Sequence, residues 1–243
     1  MKDWLASALL ESADSIPEDA EGHVLGRGLP YALVSEMRVG VWKCPQDPCP
    51  DASFTKRYGE FGQRVEGWLS FPLWSPRGHI IGVEFRSWEY GDSHEPQKFY
   101  LPDSGWLPVF VGMVPSAFHR IWDGGDVWLV EGWSDLAVAH VIPEEATGLA
   151  NGGAKITSQQ VAFLSRFLSP RARVHVCFDM DETGQKMARG YTHPETGKRV
   201  WGVVERLERA GVKARVVVYR GGKDPGEIWE KSGTPALRNA LAL

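Results

Sequence analysis

Three short acidic segments hold the side chains best suited to chemistry. VEGWSD places Glu131 and Asp135 four residues apart, FDMDETG places Asp179 and Asp181 two apart, and KDPGE contributes Asp224. Carboxylates brought together repel unless a proton or a cation is shared among them. An all-oxygen set suits Mg²⁺ or Mn²⁺, hard cations that take substrate phosphates into their shell. Such an ion neutralises charge on a transferring phosphoryl group and helps to position the nucleophile. Each acid also has a purely structural reading. Asp181 or Thr183 suits the N-cap of a helix beginning near Gly184, and a single acidic strand end reads most simply that way. Three such segments, each followed by Gly or Pro, favour the cluster.

The elements around these acids follow an alternating rhythm. VWLVEG is an apolar run stopping at Glu131, the pattern of a strand buried on both faces. SDLAVAHV follows as a helix, ATGLANGG as a short strand with a glycine-rich turn, and Ser158–Leu168 as a helix. Arg173–Asp181 reads as the next strand; if it is extended, the carboxylates of Asp179 and Asp181 project to one side. A helix starts at Thr183–Arg189, is interrupted by an insertion around residues 190–198, and resumes at Trp201–Ala210. Ala214–Arg220 is a further buried strand. Strands alternating with helices imply βαβ units, a mainly parallel sheet and an α/β fold. In such sheets ligands bind beyond the carboxyl ends of the strands, where all three acidic segments fall.

The front half reads differently. Helices are expected at Lys2–Ser12 and Pro30–Met37, separated by an acidic loop, SADSIPEDAEG. A strand is expected at Val39–Trp42, and a long irregular loop over Cys44–Gly67. Trp68–Leu73 and His79–Ser87 form two strands joined by SPRG, with Pro76 and Gly78 where a type I turn favours them. The expected division is an α+β lobe over residues 1–115, an α/β lobe over 116–221 and a helical tail over 222–243.

Composition narrows the class. The 243 residues are 43% hydrophobic and 24% charged, as in ordinary globular proteins. No run nears the ~20 apolar residues of a membrane span, and the start lacks a secretory pattern, so a cytoplasmic protein away from membranes is expected. Cys44, Cys49 and Cys177 form no disulfide framework, and Cys44 with Cys49 lacks the second pair that a zinc site requires. Net charge is −4, yet Arg166–Lys223 holds thirteen Lys/Arg against six Asp/Glu. That asymmetry suits a polyanion held on one face. Lys155 in NGGAKIT stands beside a glycine turn where a phosphate would fit, although a plain turn explains it somewhat better. The eleven tryptophans are assigned mostly to the core, and His79, His94 and His175 have no ligand-like spacing.

EGWSD, FDMDETG and KDPGE together resemble the Glu, DxD and downstream acidic motifs of TOPRIM domains. TOPRIM domains occur in primases, topoisomerases, OLD-family nucleases and recombination mediators. The front lobe resembles the DnaG-type primase core: RGLPYALVSEMRVGVW its opening helix and strand, FPLWSPRGHIIGVEFRSW its strand–turn–strand, and QKFYLPDSGWLPVFVG the approach to TOPRIM. The likeness runs over roughly Arg27–Gly233. It implies primer synthesis on single-stranded DNA from nucleoside triphosphates by metal-dependent nucleotidyl transfer. Glu131, Asp179 and Asp181 would be catalytic and bind Mg²⁺ or Mn²⁺, with Asp135 and Asp224 in support. Arg86 and Lys98 would contact template or nucleotide phosphates, with Lys155 and Lys223 as further basic contacts. Gly226 stands where bacterial primases carry another acid, which implies a reduced metal shell. Neither a zinc module nor a P-loop motor is visible, so a helicase partner would act in trans. The compact form resembles phage or mobile-element primases. Two alternatives share the fold: a metal-dependent nuclease and a non-catalytic single-strand-binding adaptor.

Overall fold

The computed structural model describes residues 2–45, 64–88, 97–100 and 110–243, with the backbone alone for 2–3 and 97–100. Three helices, α1 (Lys2–Asp14), α2 (Glu18–Gly26) and α3 (Tyr31–Met37), lead into an antiparallel sheet. Its order is β1 (Gly40–Val41), β2 (Leu69–Trp74), β3 (Ile80–Arg86) and β4 (Gln97–Tyr100). Alternation along these strands gives the sheet two apolar faces. Val83 and Phe85 join Leu5 and Leu9 of α1 on one side, whereas Leu69, Phe71 and Leu73 enter a core shared with the rest of the molecule. The SPRG turn is present, closed by the Gly78 amide donating to the Ser75 carbonyl at 3.0 Å.

The acidic segment SADSIPEDAEG is not all loop: Glu18–Gly26 is helical. Pro17 stands at the N-cap, and Glu18, Asp19 and Glu21 occupy the first turn, where negative charge is favourable. Its burial of Ala20 and Val24 supplies the apolar contact that a charge count conceals.

The second sheet has order β10 (Ala214–Val216), β7 (Val174–Val176), β5 (Val127–Val130) and β6 (Thr147–Ala150). All three pairings are parallel, as the βαβ rhythm requires. On one face Leu129, Leu149 and Val176 pack with Phe163 and Leu164 of α5 (Ser158–Phe167) and Leu207 of α7 (Val203–Arg209). On the other, Trp128 and Val130 pack with the segment Ser134–His140 and the C-terminal helix α8 (Pro225–Ala240).

Several elements depart from the sequence reading. Pro115–Asp123 forms a helix, α4, opened by Pro115 in its first turn. Ser134–His140 winds as a 3₁₀ helix, and it is tightly packed: a Cβ on Gly28 would fall 2.7 Å from the Ala137 Cβ. The strand expected to reach Asp181 pairs only as far as Val176, so Asp179 and Asp181 lie on the loop leading to α6 (Glu182–Arg189). The insertion is a small hairpin, β8 (Tyr191–Thr192) with β9 (Arg199–Val200). It separates α6 from α7, which are two helices and not one resumed. Its base is two touching glycines, since a Cβ on Gly202 would lie 2.1 Å from the Gly190 nitrogen. Among the described residues β10 is an edge strand, only partly buried, and Val218 just beyond it is exposed. Helix α8 is broken at Gly233 (φ 73°), so the helical tail consists of two segments. Among the described residues no helix is long and apolar enough to cross a membrane.

Candidate active site

The carboxyl ends of β5, β7 and β10 bring the acidic segments to one rim. Glu131 directly follows β5, and its backbone is fixed by the amides of Gly152 and Gly153, which donate to its carbonyl at 2.8 and 2.9 Å. Its side chain turns toward β7, where Oε1 accepts from the Asp179 amide at 3.1 Å. Gly184 permits this approach: a Cβ there would lie 2.4 Å from the Asp179 carbonyl oxygen and 2.8 Å from Glu131 Oε1.

Asp135 lies deeper, 4% exposed. Its Oδ2 accepts from the Gly132 amide at 2.9 Å. Oδ1 is buried without a hydrogen bond of normal geometry, although the Gly226 amide is close enough to favour its charge. Asp181 and Asp224 do cap helices. Asp181 Oδ1 accepts from the Gly184 amide at 2.8 Å, and Asp224 Oδ1 accepts from the Glu227 amide at 2.6 Å. Each cap uses one oxygen, so the structural and the chemical readings of these two acids hold together.

A basic group sits among them. Lys223 Nζ is 2.9 Å from Asp179 Oδ2 and 3.7 Å from Asp181 Oδ2. The sequence reading made Lys223 a phosphate contact; here its ammonium is paired with the acids. Beneath it, the Tyr219 hydroxyl lies 3.0 Å from the Phe178 carbonyl and 3.1 Å from the Lys223 carbonyl. Tyr219 was not anticipated, because its role depends on two loops converging on one hydroxyl.

Electrostatics follow from this crowding. Burial, then the neighbouring Asp179, pushes Glu131 up to about 7. Burial and the Asp224 charge push Asp135 well above the usual carboxylate range. Asp179 is raised by burial, with Lys223 pulling the other way, and Asp179 in turn raises Lys223. Among the described residues no three carboxylates, imidazoles or thiols are gathered closely enough to enclose an ion. The donor chemistry nevertheless fits a hard divalent cation: every candidate ligand is an oxygen, and the Lys223 ammonium already stands as a cation between two of the acids.

The remaining candidates are dispersed. Arg86, at the end of β3, donates through Nε to Oε1 of the buried Glu84 at 2.8 Å. Lys98 pairs opposite Glu84 in the β3–β4 register; its side chain lies outside the described residues. Lys155 is exposed, and its carbonyl accepts from Asn151 Nδ2 at 2.7 Å in the turn after β6. Cys44 is half-buried and Cys49 lies outside the described residues. Trp128 is buried as expected and Trp68 only partly, while Trp201 is exposed beneath the Arg209 guanidinium, 3.9 Å from its ring centre. His175 has a structural task. Its Nε2 is 2.7 Å from Asp126 Oδ2, and Nδ1 accepts from Arg215 Nε at 2.9 Å.

Residues 128–229 match the Toprim-like family model, a span that holds every acid of the rim. No curated protein matches the chain. Among solved structures it resembles the zinc-binding and RNA polymerase domains of Aquifex aeolicus primase, with TM-score 0.65 and 20% identity. That match covers 97% of this chain but only 59% of the other, so the chain spans well under two thirds of that relative. It also resembles the RNA polymerase domain of Mycobacterium tuberculosis primase DnaG, with TM-score 0.64 and 19% identity over 98% of this chain and 81% of that one. A primase domain from Pseudomonas aeruginosa matches with TM-score 0.64 and 18% identity, over 99% of this chain and 78% of that one. The chain therefore carries a Toprim-like domain within the fold of a DnaG primase catalytic core.

Proposed function

We propose that this chain is a DNA primase core that makes short primers on single-stranded DNA from nucleoside triphosphates. The observation that carries the reading is the rim itself. Glu131, Asp135, Asp179, Asp181 and Asp224 gather at the ends of parallel strands, beside an antiparallel front sheet, in a fold shared with primase cores. Solved relatives include a DnaG catalytic domain bound to single-stranded DNA and an RNA polymerase domain in complex with double-stranded DNA, which supports a DNA partner here. The residues divide as an α+β lobe to about residue 115, the Toprim-like lobe to about 221 and a helical tail.

Mg²⁺ or Mn²⁺ bound at the rim would neutralise the incoming triphosphate and lower the barrier to attack by the 3′-hydroxyl. Glu131, Asp179 and Asp181 are its ligands in this reading, with Asp135 and Asp224 shaping the field around them. Gly226 supplies no acid, and no room exists for one without movement, since a Cβ there would lie 3.0 Å from the Ser134 carbonyl oxygen. Arg86, held in place by Glu84, and Lys98 on the paired strand would grip phosphates from the front lobe. Binding through phosphates weakens with salt. A helicase acting in trans, a cytoplasmic site of action and a phage or mobile-element origin belong to the same proposal.

Product formation on single-stranded DNA with labelled nucleotides and Mg²⁺ or Mn²⁺ tests the reading. Wild type is expected to make short oligonucleotides and Asp179→Ala none. Equal synthesis by both would remove the acids from the mechanism. Cleavage of the DNA without nucleotides would assign the site to a nuclease instead.

A further inference from the structure

We propose that Lys223 is the resident counter-cation of the acidic rim, exchanged for a divalent metal when the site is loaded. This rests on the metal-binding reading above and assigns the lysine a part in it. The ammonium is placed by design of the backbone. The Met180 amide donates to the Lys223 carbonyl at 2.8 Å, and the Lys223 amide donates to Glu227 Oε2 at 2.5 Å. The Tyr219 hydroxyl meets the same carbonyl. The loop after β10 is thus bolted to the loop bearing Asp179 and Asp181, which keeps the amine within reach of both carboxylates.

The side chain, unlike its backbone, is free to leave. It is 55% exposed, whereas its partner Asp179 is only 16% exposed. Its contact with Asp181 is the longer one, so the ammonium leans on the acid that is harder to solvate. A monovalent ammonium between two carboxylates offsets their repulsion, but it cannot draw Glu131 into the same shell, because it lacks coordinate geometry and a second charge. A divalent ion can. Exchange would therefore gather three acids where the ammonium pairs with two. It would also release the amine at the rim, where a phosphate approaching the metal would meet it. Lys223 then serves as a positioning residue for the metal and reaches phosphate only after the metal is seated.

Mn²⁺ affinity, measured by calorimetry on the full chain, is the test. Removing the competing ammonium in Lys223→Met should tighten Mn²⁺ roughly two- to fivefold, the scale of one partly exposed ion pair. The same variant should melt lower without metal and show a larger Mn²⁺-induced rise in Tm. Lys223→Arg, which keeps the charge, should stay within about twofold of wild type. If Lys223→Met binds Mn²⁺ equally or more weakly while wild type binds, the exchange is wrong and the metal site stands. If Lys223→Arg tightens as much as Lys223→Met, charge is not the competitor and the exchange is again overturned. If neither wild type nor Lys223→Met binds, the metal-binding reading itself fails. Binding by Lys223→Met alone would show the lysine outcompeting the ion and would support the exchange.

Discussion

Glu131 illustrates how a position's chemistry is set by what surrounds it. Its carboxyl is held between the Asp179 amide and a rim of like charge, and its affinity for a proton rises to about 7 from an ordinary 4.5. The folded protein therefore binds this proton more tightly than the unfolded chain does. The resulting stabilisation is complete below the unfolded value and is lost as pH rises through about 7. Wild type should lose Tm relative to Glu131→Gln between pH 5.5 and pH 8, and Mn²⁺ at pH 8 should restore much of the difference. A Tm gap that ignores pH would place the carboxyl in solvent-like surroundings. The acids were legible in the sequence as types and spacings. Their mutual distances were not, because Glu131 and Asp179 are 48 residues apart and meet only through strand pairing.

Elements show the same division between local and distant information. The Thr157 cap of α5, with its reciprocal Gln160 contact, is a local pattern and places that helix at its expected start. The hairpin of residues 191–200 was hidden because two-residue strands carry no alternation to detect. The edge character of β10 was equally hidden: VVV reads as buried whether or not a further strand covers it. His175 joins the strands of the parallel sheet. Asp126, which precedes β5, and Arg215 on β10 both bond to its ring, which stacks on Trp128 with centroids 4.6 Å apart. Because Nδ1 accepts from Arg215, the proton resides on Nε2. Burial lowers the pKa of the ring below the usual 6.5, against the opposing pull of Asp126. Stability from this contact is full above the unfolded value and is lost as pH falls through the lowered one. An NMR titration of His175 should have its midpoint below 6.5, and a midpoint above it would disprove the neutral, Arg-bonded ring.

For the molecule as a whole, one core joins the two sheets. Leu69, Phe71 and Leu73 of the front sheet share it with Trp128, Val130 and Trp133 of the back, and with Leu237 of α8. Phe71 and Trp133 touch with ring centres 5.1 Å apart, two residues beyond Glu131. The contact ties the front sheet to the segment that carries Glu131 and Asp135. Leu237→Ala, at a fully buried position on α8, should cost about 2–5 kcal/mol. It should lower a single unfolding transition seen alike by far-ultraviolet dichroism and tryptophan fluorescence. Two separated transitions would mean lobes that fold independently.

By itself the sequence determined the alternation of strands and helices, the antiparallel character of the front sheet and the three acidic segments that follow strands. These features rest on periodicity, turn residues and capping, which neighbouring residues settle among themselves. Tertiary structure alone decided that Gly184 admits Glu131 to the Asp179 loop, that Ser134–His140 winds tightly, and that the Lys223 ammonium pairs with Asp179 and Asp181. Each of these depends on segments tens of residues apart being packed to contact distance. No local pattern encodes that contact, because it is the sum of every apolar surface buried between them.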